Sequence, residues 1–323
     1  MRLLDYTAGE PAVAMLGMCK NAGKTTALNR LILEYGESGV STVALTSIGR
    51  DGESRDLVTG TEKPPIYMKE GMLAATAEKL LSFCDVSREI LSATGLHTSL
   101  GEVILFRARS DGFVQLAGPS IVDQIKKLRE EFSRFGAETV LIDGALNRRS
   151  LLSCVSDGVC ILSTGASLDR NPDRVVAETA FVAALLMLPE RQAPGTPLGK
   201  LTLFGADQEP HPVTDFSHME NTRPGDVLMV DGALTDIQAR SLLKCPAQTE
   251  GLVLLAKNAS CLMLKRETYE ALTSHGISFS VINKTRLAAI TVNSVSAGGW
   301  SFDKEEFLDK MKLAVDVPVM DLM

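Results

Sequence analysis

Val13-Ala14-Met15-Leu16-Gly17-Met18-Cys19-Lys20-Asn21-Ala22-Gly23-Lys24-Thr25-Thr26 is the stretch on which the fold turns. Its apolar start, ending in glycine, reads as a short buried strand of a parallel sheet. Residues 24–35 then place Leu28, Leu31 and Ile32 on one helical face. Between them lies a loop bounded by Gly17 and Gly23 and closed by Lys24-Thr25-Thr26. Glycines let backbone wrap an anion, successive amides and the helix N-terminus point at it, and a lysine adds a mobile cation. In this strand–loop–helix context Gly17, Lys20, Asn21, Ala22, Gly23, Lys24, Thr25 and Thr26 form a phosphate-binding loop. The alternative is a Gly-Lys-Thr helix start that binds nothing. A second apolar run at 43–46 completes a strand–helix–strand unit.

A triphosphate carries magnesium, which takes oxygen ligands. The Thr25 hydroxyl is one candidate. Asp143, at the end of the apolar run 139–142, is the acid expected beside the loop, as ligand and catalytic group. The competing role for Asp143 is a turn or helix cap before Gly144. Lys20 and Lys24 are the cations placed to stabilise charge on the transferred phosphoryl group, although a loop lysine also simply faces solvent. Arg50, Arg148 and Arg149 are weaker candidates for that task.

Elsewhere, helical spacing is expected over 72–81, 121–135 and 171–188, and apolar strands at 103–106, 113–116 and 158–162. Ser110-Asp111-Gly112 between two of these strands predicts a hairpin. Residues 189–225 hold six prolines and read as a boundary or elaborate connection. Beyond it, strands at 227–230, 252–256, 278–282 and 288–292 alternate with helices near 236–243, 266–274 and 304–313. The fold class expected is α/β: a P-loop NTPase domain over 1–190 with a mostly parallel sheet flanked by helices, and a C-terminal α/β region over 191–323, packed on or continuous with that sheet. The words Val140-Leu141-Ile142-Asp143-Gly144-Ala145-Leu146 and Met229-Val230-Asp231-Gly232-Ala233-Leu234 echo each other, through duplication or by chance.

The 323 residues are 45% hydrophobic and 23% charged, which excludes disordered and fibrous classes. A net charge of −7 argues against a general nucleic-acid binder. The longest apolar run, near 180–188, is too short to span a membrane, and Met1-Arg2-Leu3-Leu4-Asp5 lacks a signal peptide's apolar core. Six cysteines without CxxC or zinc spacing read as free thiols, so the cytoplasm is the expected compartment. The four histidines show no metal spacing. Asn283-Lys284 is followed by Arg286 where a guanine-reading motif needs an acid, so ATP is preferred to GTP. Asn293, after a strand, is placed to meet an adenine edge.

Gly17 and Gly23 enclose five residues, where the common P-loop pattern has four. The same interval occurs in dethiobiotin synthetase and the cobyrinic acid amidases, and the loop resembles that branch of P-loop proteins. Proteins like dethiobiotin synthetase carry a metal-binding aspartate after the second strand, which implies Asp51 in Ser47-Ile48-Gly49-Arg50-Asp51-Gly52-Glu53 as a further magnesium ligand. With Leu116-Ala117-Gly118-Pro119, Leu141-Ile142-Asp143-Gly144-Ala145-Leu146 and Val317-Pro318-Val319-Met320-Asp321, these words are similar to the ATPase subunit of the reactivating factor for adenosylcobalamin-dependent lysine 5,6-aminomutase, an enzyme of lysine fermentation. The resemblance implies an ATP-driven chaperone. Its partners would be the cobalamin-dependent aminomutase and a second reactivase subunit, with a homodimer open. ATP and Mg2+ would drive exchange of damaged cofactor. The competing expectation is a ligase or kinase that phosphorylates a small carboxylate.

Overall fold

The computed structural model describes residues 2–39, 42–49, 65–144, 155–214, 222–244 and 250–322. It divides into two units, Met1–Ala180 with Arg286–Met323, and Phe181–Thr285. In this division the chain leaves the first unit inside a helix and re-enters it at Arg286.

The first unit carries β1 (Ala12–Gly17), α1 (Lys24–Ser38), β2 (Val43–Ser47), β3 (Ile66–Met68), β4 (Leu73–Ala77), β5 (Arg88–Thr98), β6 (Gly101–Ala108), β7 (Gly112–Val114), α2 (Val122–Arg134), β8 (Thr139–Asp143), β9 (Val159–Gly165) and the start of α3 (Pro172–Leu186). The second unit contains β10 (Leu201–Phe204), β11 (Pro210–Pro212), β12 (Val227–Val230), β13 (Leu234–Thr235), α4 (Asp236–Leu242), β14 (Val253–Ala256), β15 (Leu262–Met263), α5 (Arg266–Ser274) and β16 (Ser278–Val281). β17 (Leu287–Asn293), α6 (Lys304–Ala314) and β18 (Val319–Asp321) then return to the first unit.

The first unit is built on a nine-stranded sheet in the order β18-β17-β9-β1-β8-β2-β4-β6-β5. The seven strands from β18 to β4 run parallel, and β6 and β5 are antiparallel. The protein is therefore α/β with a large mixed sheet flanked by helices. Alternate β1 residues face opposite ways: Val13 and Met15 join Leu28, Leu31, Ile32 and Tyr35 of α1 in one core. The central strands β1, β8 and β9 are buried throughout, as strands covered on both faces must be.

Two expectations fail locally. Residues 72–81 are not one helix: β4 occupies five of them, and a 3-10 turn begins at Glu78. Every β4 residue is buried between β2 and β6, so ladder bonds and two-sided burial override the helix preference of its alanines. The strands flanking Ser110-Asp111-Gly112 do not pair with each other. β6 pairs with β4 and β5, whereas β7 pairs with β3. The Asp111 carboxylate accepts from Tyr67 Oη at 2.7 Å and Glu70 N at 2.8 Å, tying the turn to the β3 side. Gly112 is needed for a close approach instead, because a Cβ there would lie 2.3 Å from Asp85 Oδ1.

In the second unit β12, β14 and β16 are parallel neighbours joined through α4 and α5, with β10 antiparallel to β12 and β11 antiparallel to β10. Of the echoed words, one ends β8 and the other ends β12, but residues 145–154 after the first lie outside the described residues.

Candidate functional site

Parallel strands bring their C-terminal ends to one edge of a sheet, where ligands of open α/β sheets bind. Register makes this concrete. Met15 and Ser47 both sit opposite Asp143, Gly17 opposite Ser163, and Gly165 opposite Asn293. The ends of β2, β8, β1, β9 and β17 thus lie side by side, and the segment 18–23 leaves from the middle of that row.

Met18 N donates to Ser163 O at 2.9 Å, anchoring the departure from β1. Asn21 and Gly23 both take the left-handed conformation, with φ of 60° and 91°. Gly23 caps α1, and no side chain caps that helix end. No acid occupies the helix's own first turn. Ala27 N donates to Gly23 O at 2.9 Å, the bond that opens the helix. Gly17 differs from Gly23: its φ is not left-handed, and an added Cβ would only touch Cys19 O at 3.4 Å and Lys24 Cβ at 3.7 Å.

Lys24 and Asp143 meet directly. Nζ lies 2.6 Å from Oδ1, with side-chain exposures of 17% and 5%. The acid expected at the strand end and the lysine expected in the loop form one partly buried pair. Thr25 and Thr26 are half-buried in the first turn of α1, Ala22 is buried, and Lys20 and Asn21 are exposed on the loop. Burial pushes the Cys19 thiol up to about 11, so at neutral pH it is a protonated thiol and a poor nucleophile. Asp51, Arg50, Arg148 and Arg149 lie outside the described residues.

The oxygen donors fit a magnesium ion bound with a nucleotide. Thr25 and Asp143 supply a hydroxyl and a carboxylate, the hard ligands that magnesium takes a few at a time beside phosphate oxygens and water. Among the described residues no group of three or more His, Cys, Asp or Glu side chains is arranged to hold a metal unaided.

Several positioning contacts could not be read from the sequence, although most of the residues that make them stand in words singled out above. Ser47 Oγ donates to Gly49 O at 3.1 Å and accepts from Gly118 N at 3.2 Å, while Ile48 N donates to Asp143 O at 2.9 Å. A Cβ on Gly118 would fall 2.0 Å from Ser47 O, and one on Gly165 would fall 2.1 Å from Asn293 O. Asn293 serves its own turn: Oδ1 accepts from Val295 N at 2.9 Å, and Nδ2 lies toward Gly23. Its closeness to the loop fits a support for the Gly23 cap, which strand periodicity could not reveal.

Fold and site together define an α/β protein whose sheet edge gathers a glycine-capped helix start, a lysine and a buried aspartate. Set against known proteins, the chain matches no family model, no curated protein and no solved structure. Among the described residues no helix is long and apolar enough to cross a membrane.

Proposed function

We propose that the chain is a P-loop ATPase that binds Mg·ATP on residues 17–26 and hydrolyses it. The observation that carries this reading is the glycine-capped start of α1 beside the Lys24–Asp143 pair at the C-terminal edge of parallel strands. The loop amides and Lys24 would hold the phosphates, and Thr25 and Asp143 would hold magnesium, which when bound neutralises charge on the phosphoryl group. Lys20, exposed on the loop, would add a cation at the γ-phosphate. Phosphate and metal would then take over the partners that Lys24 and Asp143 provide each other here.

The resemblance of the sequence words supports a reactivating ATPase: a chaperone that couples hydrolysis to release of damaged cofactor from a cobalamin-dependent aminomutase. The five-residue interval between Gly17 and Gly23 also suits a dethiobiotin synthetase-like ligase. Hydrolysis rates separate them. Stimulation by purified aminomutase, and by no small carboxylic acid, supports the chaperone; stimulation by an acid alone supports the ligase. For the site itself, Lys24→Ala should abolish Mg·ATP binding by calorimetry, and Asp143→Asn should lower turnover at least tenfold with a smaller loss of affinity. Wild-type affinity in Lys24→Ala would refute the phosphate role of that loop.

A further inference from the structure

The chain has one tryptophan, Trp300, and it is linked to the glycine cap of α1 through Asn293 and Ala166. Asn293 Cβ lies 3.5 Å from where a Cβ on Gly23 would be. Asn293 O accepts from Ala166 N at 2.9 Å, and Ala166 O accepts from the indole Nε1 of Trp300 at 3.0 Å. One packing contact and two hydrogen bonds therefore connect the turn at Gly23 to the indole.

The indole is set in a rigid mount. The turn after β17 closes through Ser296 N to Trp300 O at 2.8 Å, Phe302 N to Ser294 O at 2.9 Å and a Val295–Ser301 bridge. Gly298 lies directly against the ring, since a Cβ there would come 2.0 Å from it. The Arg170 guanidinium, on the loop after β9, sits over the indole at 4.8 Å from the centroid. Arg170 is exposed, and among the described residues it has no carboxylate partner, so its outward face and its charge are open to solvent. Planar guanidinium stacks readily on aromatic faces, and stacking is indifferent to which base is presented.

We propose that Arg170, seated over Trp300, is the stacking face for the purine of the bound nucleotide, so that this site takes nucleoside triphosphates rather than free polyphosphate. This rests on the nucleotide reading above and adds to it the part of the ligand beyond the phosphates. The loops after β9 and β17 flank β1 on the side away from Asp143, so the nucleoside would leave the phosphate turn toward them while the metal end faces β8.

The test compares Mg·ATP, Mg·GTP and magnesium tripolyphosphate by calorimetry on the full chain, with indole emission recorded alongside. Arg170→Ala, a change at an exposed position, should weaken both purine nucleotides about tenfold and leave tripolyphosphate unchanged. Trp300→Phe, which keeps a ring against Gly298, should give a smaller loss of the same kind. ATP should alter Trp300 emission and tripolyphosphate should not. An equal loss for all three ligands in Arg170→Ala would make Arg170 a phosphate cation and overturn the stacking role, as would undiminished ATP affinity. A wild-type chain that binds none of the three would remove the nucleotide reading itself, and the stacking role with it.

Discussion

Lys24 and Asp143 hold each other at 2.6 Å, and the carboxylate is nearly sealed from water. Removing one partner of a partly buried pair strands the other, whereas removing both does not. Lys24→Ala should therefore lower the stability of the unliganded protein by about 2–3 kcal/mol, and Asp143→Asn by less. The double variant should be more stable than the sum of the singles implies, with a coupling of at least about 1 kcal/mol in urea unfolding. Strict additivity would show that the two side chains do not interact before ligand arrives. Each residue can be read from the sequence alone, Lys24 from the loop and Asp143 from its strand end. Their contact cannot, because it depends on β8 lying next to β1 in the sheet, an adjacency that hydrophobic periodicity does not encode.

The end of β2 shows how an element's position, more than its residue type, makes a site. Ile48 N bonds Asp143 O on one side, and Gly118 N and Pro119 O meet Ser47 Oγ and Gly49 N on the other. Residues 47–49 are therefore held in place by the 116–119 loop on one side and β8 on the other. Gly118 is there for closeness: a methyl at that position would drive into Ser47 O at 2.0 Å. Gly118→Ala should cost about 1–3 kcal/mol by thermal unfolding and reduce the magnesium dependence of ATP binding, whereas Gly136→Ala, strained only by its φ of 89° with open space around it, should leave that dependence alone. Equal magnesium dependence in both variants would remove the loop from the site. The word Leu116-Ala117-Gly118-Pro119 was readable as a resemblance, but its mechanical role appears only with the fold. The same limit explains β4, whose alanines read as helix until the sheet closes on both sides of them.

At the scale of the whole chain, the first unit is completed from both termini. β17 pairs with β9 and β18 with β17, and Ala289 and Met320 belong to the same core as Val13, Leu31 and Leu141. Arg286 grips Glu10 through two bonds of 2.7 and 2.8 Å at the point of re-entry. The strand pattern at 288–292 was readable in the sequence. That it belongs beside β9 was not, because parallel pairing across an inserted unit leaves no local mark. A chain cut after residue 285 would lose the burial of Ile290, Val292, Phe307, Met311, Val319 and Met320 and bare the edge of β9. At about 1.5–3 kcal/mol for each large side chain, that loss matches or exceeds the 5–15 kcal/mol by which domains are ordinarily stable. The truncated chain should therefore lack a cooperative thermal transition and bind no Mg·ATP, although residues 17–26, Lys24 and Asp143 are all still present. A truncated chain that melts cooperatively and binds Mg·ATP like the full one would show that β1, β8 and α1 hold the site without the strands that close their sheet.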